Sequence, residues 1–423
     1  MARILFATVP IVGHVYPFLG IARALAQRGH ELRWYTGQRF RAEVERTGAR
    51  HEPYVRAHDF DDQRMELSFP QRAHHVGWRQ LKYDLKHVFA DQAITQLADI
   101  ESIARSFRPD LIVADPLMLG SLLFKERSGT PLVLINVVAS PVRSRDTAPF
   151  GLGILPTGRW YGPLRNRMLG TFVDQVLFRD VQAHWVRVRR QAGLPTRRLL
   201  FEAALDATLL VQPTVAGFEY PRSDVPANVE LVGALFPELP VNVVTSAPWR
   251  EVSADIPLVH VTQGTMSNAR PDLIAPTLAG LADLSVLVVV ATGGRTADEL
   301  GLGRLPDNAR VVPYVSYREL LPRTSVMVTN GGYGGVQLAL SYGVPLLVWG
   351  TSEDKPEVAA RVVWSGAGLR LSRLRAPRAD EVRAGVLELL AQPSYRRRAR
   401  ALADEYARAD AVTRVVSLIE QLA

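Results

Sequence analysis

Four short stretches carry residues whose types suit chemistry on a small ligand. "VPIVGHVYP" places His14 after an apolar run, a residue or two before a helix start. A histidine at such a strand end can act as a general base near neutral pH, or it can make a local loop hydrogen bond. "LIVADPL" ends another apolar run on Asp115. A carboxylate beside His14 can hold the imidazole in one tautomer and stabilise its protonated form; the alternative is a cap for the following helix. "VTQGTMSN" puts Gly264 and Thr265 past a third run, where backbone amides meet a phosphate or merely form a turn.

The fourth stretch, 328–357, reads "VTNGGYGGVQLALSYGVPLLVWGTSEDKPE". A strand runs through Asn330, Gly331, Gly332, Gly334 and Gly335 into a small-residue helix, and a second strand ends in acids. Glycines there let amides approach a ligand closely, and the positive end of the helix faces it. A diphosphate is the natural guest; tight helix–strand packing is the alternative. No GKS or GKT follows, and the first βα turn lacks a GxGxxG fingerprint. "DFDD" at 59–62 contains Asp-x-Asp but lies off any predicted strand end, and the histidines at 51, 58, 74, 75 and 87 share no ligand spacing. The expected reading is no metal site.

These stretches need elements that bring them together. Strand and helix patterns alternate: "RILFATV", then "YPFLGIARALAQRGH", "ELRWYT", "RFRAEVERTG", and later "DLIVADP" and "PLVLINVV" around "LGSLLFKERSG". Such alternation predicts a parallel sheet with helices on both faces. One long helix is expected over roughly 75–106, a long loop over 141–170 and a linker in the proline-rich 213–250. Alternation then resumes through "PLVHVTQG", "LSVLVVVAT", "ARVVPYV", "SVMVTNGG", "VPLLVWG" and "GLRLS", a second parallel sheet. A last helix over about 392–422 aligns Leu402, Tyr406, Val412, Val415, Ile419 and Leu422.

The 423 residues suit two domains, and with no cysteine there is no disulfide, cysteine nucleophile or cysteine metal site. The net charge of +8 comes from scattered arginines with only four lysines, so it reads as solvated surface rather than a nucleic-acid face. The start enters a strand without a leader pattern, and the longest apolar run, Leu284 to Thr292, is far short of the ~20 residues of a membrane span. A soluble cytoplasmic protein is expected, with no integral membrane segment. Oligomeric state is not readable.

The combination resembles the GT-B, family 1 glycosyltransferases of the bacterial macrolide and natural-product type. "GHVYPFLGIARALAQRGHELRWYT" is similar to the family's GH-x-x-P start, and "ARVVPYVSYRELLPRTSVMVTNGGYGGVQLALSYGVPLLVWGTSEDKPEVAARV" to its donor signature. The resemblance implies two Rossmann-like domains facing a cleft: 1–215, to which 400–423 returns, for the acceptor, and 216–399 for a UDP- or dTDP-sugar. It implies inverting, metal-independent transfer to a hydroxyl of a small apolar acceptor, with His14 as base and Asp115 orienting it. It places Tyr314 against the nucleotide base with Val315 offering backbone, Asp354 and Lys355 on the donor sugar, and Gly264 and Thr265 on the phosphate side. No resident cofactor is implied; the nucleotide sugar is a co-substrate.

The chain departs from the pattern. Asn330 stands where the family usually has a phosphate-contacting His, Gly335 where it has Ser or Thr, Leu338 near a ribose-binding Glu, and Lys355 in place of Gln. These changes keep open a non-catalytic helper of a partner transferase; a hydrolysing sugar-nucleotide epimerase on the same architecture is the other reading, over which His14 and Asp115 favour transfer.

Overall fold

The structure, a computed structural model, describes residues 1–75, 77–196, 199–236, 247–264, 271–351, 353–372 and 375–423. The first half is built on seven strands: β1 (Arg3–Ala7), β2 (Glu31–Tyr35), β3 (Arg50–Glu52), β4 (Leu111–Ala114), β5 (Leu132–Ile135), β6 (Leu209–Gln212) and β7 (Val229–Leu231). They lie in the order β3-β2-β1-β4-β5-β6-β7, all parallel. The central strands read as uninterrupted apolar runs because helices cover both faces; every residue of β4 and β5 is buried.

The second half repeats the plan with six strands: β8 (Leu258–Thr262), β9 (Leu287–Ala291), β10 (Ala309–Val312), β11 (Thr324–Thr329), β12 (Leu346–Val348) and β13 (Gly368–Arg370). Their order is β10-β9-β8-β11-β12-β13, again all parallel. In each sheet the order reverses once, between β1 and β4 and between β8 and β11. Ligands bind open parallel sheets at such switch points, beyond the carboxyl ends of the strands.

Several boundaries differ from expectation. The long helix over 75–106 is broken: Trp78–Tyr83 widens into a π-helical turn at Asp84–Ala90 before Ala93–Phe107. The 141–170 segment is irregular only to Tyr161; Gly162–Phe172 is helical. The first sheet continues to β7, past residue 215 and inside the stretch expected to be a linker. That strand is three residues long and none of them is buried, so it carries no apolar signal.

The single C-terminal helix expected over 392–422 is two, Pro393–Arg408 and Ala411–Glu420, with Asp410 accepting a hydrogen bond from the Thr413 amide at the second start. Leu402 and Tyr406 of the first pack with Val336 and Leu340 of the second half. Val415 and Ile419 of the second pack with Phe18 and Ala22 of the helix Val12–Gln27. The chain therefore crosses back to the first half at 409–411. No helix among the described residues is long and apolar enough to cross a membrane.

Candidate functional site

At the first switch point the chain leaves β1, turns at Pro10–Ile11 and enters the helix Val12–Gln27. His14 therefore lies inside the first helical turn rather than ahead of it, its amide bonded to the Ile11 carbonyl. Its Nδ1 is 3.0 Å from Oδ1 of Asp115. Asp115 is fully buried, and its oxygens also accept the Val9 amide at 2.8 Å and the Leu117 amide at 2.9 Å. The next helix, Leu119–Ser128, has Met118 as its N-cap residue, so Asp115 is not its cap. A carboxylate can only accept, so Nδ1 carries the hydrogen and Nε2 is left as the ring's acceptor.

"DFDD" has a structural role. Asp62 accepts the Val12 amide at 2.9 Å at the start of the His14 helix, Arg39 pairs with Asp61 and Asp62, and Asp59 accepts the Gln38 amide. Burial raises the Asp62 carboxyl, against the opposing pull of the Val12 amide and Arg39. Among the described residues no group of three acidic or histidine side chains is placed to hold a metal.

At the second switch point Asn330 follows β11. Its side-chain amide donates to the Gln263 carbonyl past β8, and a Cβ on Gly264 would lie 3.5 Å from its Nδ2. Gly264 takes a φ of 72°; Thr265 lies outside the described residues. Gly331 is required by packing: its φ is 87°, and a Cβ there would stand 2.8 Å from Val348 Cγ1. Gly332, Gly334 and Gly335 are different. A Cβ on any of them would meet nothing within 4 Å. They open the helix Tyr333–Ser341 and leave its first amides uncovered toward the cleft, so tight packing does not account for them.

Tyr314 and Val315 follow β10. The Tyr314 hydroxyl sits where a Cβ on Gly294 would be, 2.5 Å away, so the glycine turn after β9 makes room for the ring. After β12, Asp354 precedes the helix Lys355–Trp364, and its Oδ2 accepts the Ala139 amide of the first half at 3.3 Å. Burial pushes its carboxyl up to about 6, with Glu353 adding and Lys355 opposing. Lys355 pairs with Glu353, which adopts a left-handed φ of 57°. Burial works to raise the Glu353 carboxyl, but Lys355, Arg72 and His14 together hold it below the usual range.

One cleft of about 1230 Å³ between the halves joins these groups. His14, Gly264, Asn330, Gly332, Gly334 and Gly335 line it, as do Tyr314, Val315, Asp354 and Lys355. Asp115 and Gly331 stand behind this lining. The wall on the first half is mainly apolar, with Leu85, Phe89, Leu122, Phe178 and Phe201, and Arg39 and Asp84 also face the cleft.

Residues that sequence patterns did not single out join the halves. Arg361 is buried between Glu219 at 2.8 Å and Glu357 at 3.1 Å, and the Tyr333 hydroxyl bridges the Gln212 side chain and the Pro213 carbonyl. Glu353 also escaped notice. Its only sequence signal is that it adjoins the Asp354–Lys355 pair.

Comparison with known proteins places this geometry. Residues 275–422 match the family model described as "Erythromycin biosynthesis protein CIII-like, C-terminal domain". The chain is 43% identical to 4'-demethylrebeccamycin synthase of Lentzea aerocolonigenes, covering 100% of this chain and 99% of that protein. It is 33% identical to UDP-glycosyltransferase 2 of Phaeomoniella chlamydospora, covering 100% and 96%. The fold matches the crystal structure of the glycotransferase of kitacinnamycin with a TM-score of 0.78 at 22% identity, over 100% and 99% of the two chains. It also matches glycosyltransferase VinC in complex with DTDP, TM-score 0.67 at 22% identity, over 99% of each. The chain is a glycosyltransferase of the GT-B fold and belongs to the family of the natural-product and UDP-dependent glycosyltransferases.

Proposed function

We propose that this glycosyltransferase moves a sugar from a UDP- or dTDP-linked donor to a hydroxyl of a small apolar acceptor, with inversion and without a divalent metal. The observation that carries the reading is the pairing of His14 with Asp115 across one cleft from the uncovered start of the helix Tyr333–Ser341. Asp115 holds the Nδ1 hydrogen, so Nε2 is the atom that takes the acceptor proton, and the buried carboxylate balances the charge that forms on the ring. The freed oxygen attacks the anomeric carbon from the side opposite the leaving diphosphate.

Charge then grows on the diphosphate. The amides of Gly334 and Gly335 and the helix start meet it, and preorganised donors of this kind lower a barrier by a few kcal/mol each. That is the service a metal ion provides elsewhere, and here the backbone supplies it. Tyr314 packs on the base, and Asp354 with Lys355 binds sugar hydroxyls. The apolar wall around Phe89 and Phe178 selects an apolar acceptor. The names of the relatives, and dTDP in the VinC crystal, favour a pyrimidine diphosphate.

The test is calorimetric titration with UDP, dTDP and NAD in the presence of a chelator, followed by transfer assays and anomer analysis of the product. Binding of one pyrimidine diphosphate, and transfer with inversion that survives chelation, is expected. Retention of configuration would remove the direct role of His14, and metal-dependent turnover would overturn the backbone account of the leaving group.

A further inference from the structure

The loop that follows β5 shapes the acceptor side of the cleft: Phe150 and Gly151 line it, and the Trp78 ring lies 3.1 Å from where a Cβ on Gly151 would stand. Its hydrogen bonds lead elsewhere. Gly151 and Gly153 both adopt positive φ, 97° and 56°. That conformation lets two nearby amides converge on a single acceptor. The acceptor is Oε1 of Glu357, which takes the Gly151 amide at 2.9 Å and the Gly153 amide at 2.7 Å. The Gly153 carbonyl accepts from Arg370 at 3.1 Å. Both partners belong to the other half of the molecule. One turn earlier on the Glu357 helix, Asp354 takes the Ala139 amide at the start of the same loop.

Glu357 is itself fixed. Its Oε2 accepts from Arg361, whose guanidinium also bonds both oxygens of Glu219 and lies 4.4 Å from the centre of the Tyr220 ring. All three charged groups are buried. A buried carboxylate so paired has one geometry, and the loop inherits it.

We propose that Glu357 is a positioning residue that hangs the acceptor-side loop 139–153 on the donor-side helix, so that acceptor fit depends on how the two halves are placed. This rests on the transferase reading above. Glu357 does not touch the reacting atoms; it acts through Phe150 and Gly151.

The test uses the full chain with UDP-glucose as donor and 4-methylumbelliferone as acceptor. Glu357→Ala is expected to raise the acceptor KM at least fivefold while the donor KM and the UDP Kd stay within twofold. Glu357→Gln keeps one oxygen for both amides but turns its NH2 toward the Arg361 guanidinium, so an acceptor KM between those of wild type and alanine is expected. An unchanged acceptor KM in Glu357→Ala, equal rises in both KM values, or a glutamine variant as poor as alanine would overturn the proposal.

Hydrogen exchange reads the clip without turnover. In the wild type the Gly151 and Gly153 amides should exchange slowly beside a fast 155–158 segment. Fast exchange at both glycines overturns the proposal even if Glu357→Ala does not fold. If no sugar passes from UDP-glucose to 4-methylumbelliferone but this exchange pattern is present and is lost in Glu357→Ala, the proposed donor and acceptor classes fail and the clip stands.

Discussion

Asp115 and Asn330 occupy equivalent places in the two halves. Each is the first residue past its strand, and each amide bonds back to the strand across the switch point: Asp115 to the Ala7 carbonyl and Asn330 to the Thr262 carbonyl, both at 3.3 Å. In the first half the side chain at this place grips a catalytic candidate, His14. In the second it grips backbone, the Gln263 carbonyl, and so holds the loop on which Gly264 sits. One architectural position thus holds the imidazole of the proposed base in one half and fixes loop shape in the other.

Asn330→Ala should weaken UDP or dTDP binding about five- to tenfold, the roughly 1 kcal/mol of one lost hydrogen bond plus a loosened Gly264 turn. Asn330→His should bind at least as well as wild type, since a ring N–H restores a donor. Calorimetry decides; unchanged affinity in the alanine variant takes Asn330 out of the donor site.

His14→Ala should reduce kcat by roughly 10²–10⁴, the usual contribution of a positioned base, with the UDP Kd unchanged. Asp115→Asn is the more informative variant. It can accept at one oxygen only, so it loses the charge that favours the imidazolium while the Val9 and Leu117 amides still compete for that oxygen. A kcat loss with a shifted pH profile is expected. A variant at wild-type kcat would leave Asp115 as scaffold only.

Much of this site was legible in the sequence, and the misses have physical causes. Strand ends are marked by short buried runs, so His14, Asp115, Asn330 and the glycines were located within a residue or two. The His14 helix starts earlier than its sequence pattern indicates because its cap is Ile11, a residue with no capping side chain. β7 leaves no sequence signal because an edge strand of three residues buries nothing that alternates. The Glu219–Arg361 bond spans 142 positions in the chain, and nothing local announces a pair that only the docking of two halves creates.

Donor binding should depend on pH through Asp354, whose carboxyl burial pushes up to about 6. Above pH 7 it is ionised and, in the proposed donor pose, free to accept sugar hydroxyls; as pH falls through 6 it takes up a proton and would lose an acceptor. Lys355 and Glu353, its charged neighbours, pair with each other across this range. The donor KM should rise toward pH 5 in the wild type and stay flatter in Asp354→Asn. A wild-type KM constant from pH 5 to 7.5 would remove this carboxylate from the sugar contact.

His260 predicts acid sensitivity of a different kind. It lies fully buried on β8, its Nδ1 donating to the Val289 carbonyl at 3.0 Å and its ring 5.4 Å from Tyr317, and burial lowers its pKa to about 4. Above pH 6.5 neither folded nor unfolded chain protonates it. Between 6.5 and 4 only the unfolded chain does, so stability falls with pH, by on the order of 3 kcal/mol at pH 4. Asp354 acts with the opposite sign, because its raised carboxyl lets the folded chain bind the extra proton. The comparison is therefore wild type against His260→Gln in urea melts from pH 7 to 4. The gap between the two should change in favour of the variant as pH falls, and a constant gap would show that His260 is not titrating in the unfolded chain alone.

The two kinds of glycine at the helix start should separate cleanly. Gly331→Ala puts a Cβ 2.8 Å from Val348 Cγ1 at a φ of 87°, and should cost about 1–3 kcal/mol of stability. Gly335→Ser meets open space inside a helix, where serine is favoured over glycine by roughly 0.5 kcal/mol, so the melting temperature should hold or rise. Its hydroxyl would also add a donor beside the uncovered amides, and UDP or dTDP affinity should increase a few-fold. If Gly335→Ser instead abolishes nucleotide binding with the fold intact, the ligand approaches the backbone more closely than a side chain allows. The glycine would then be needed for contact rather than tolerated for want of a neighbour.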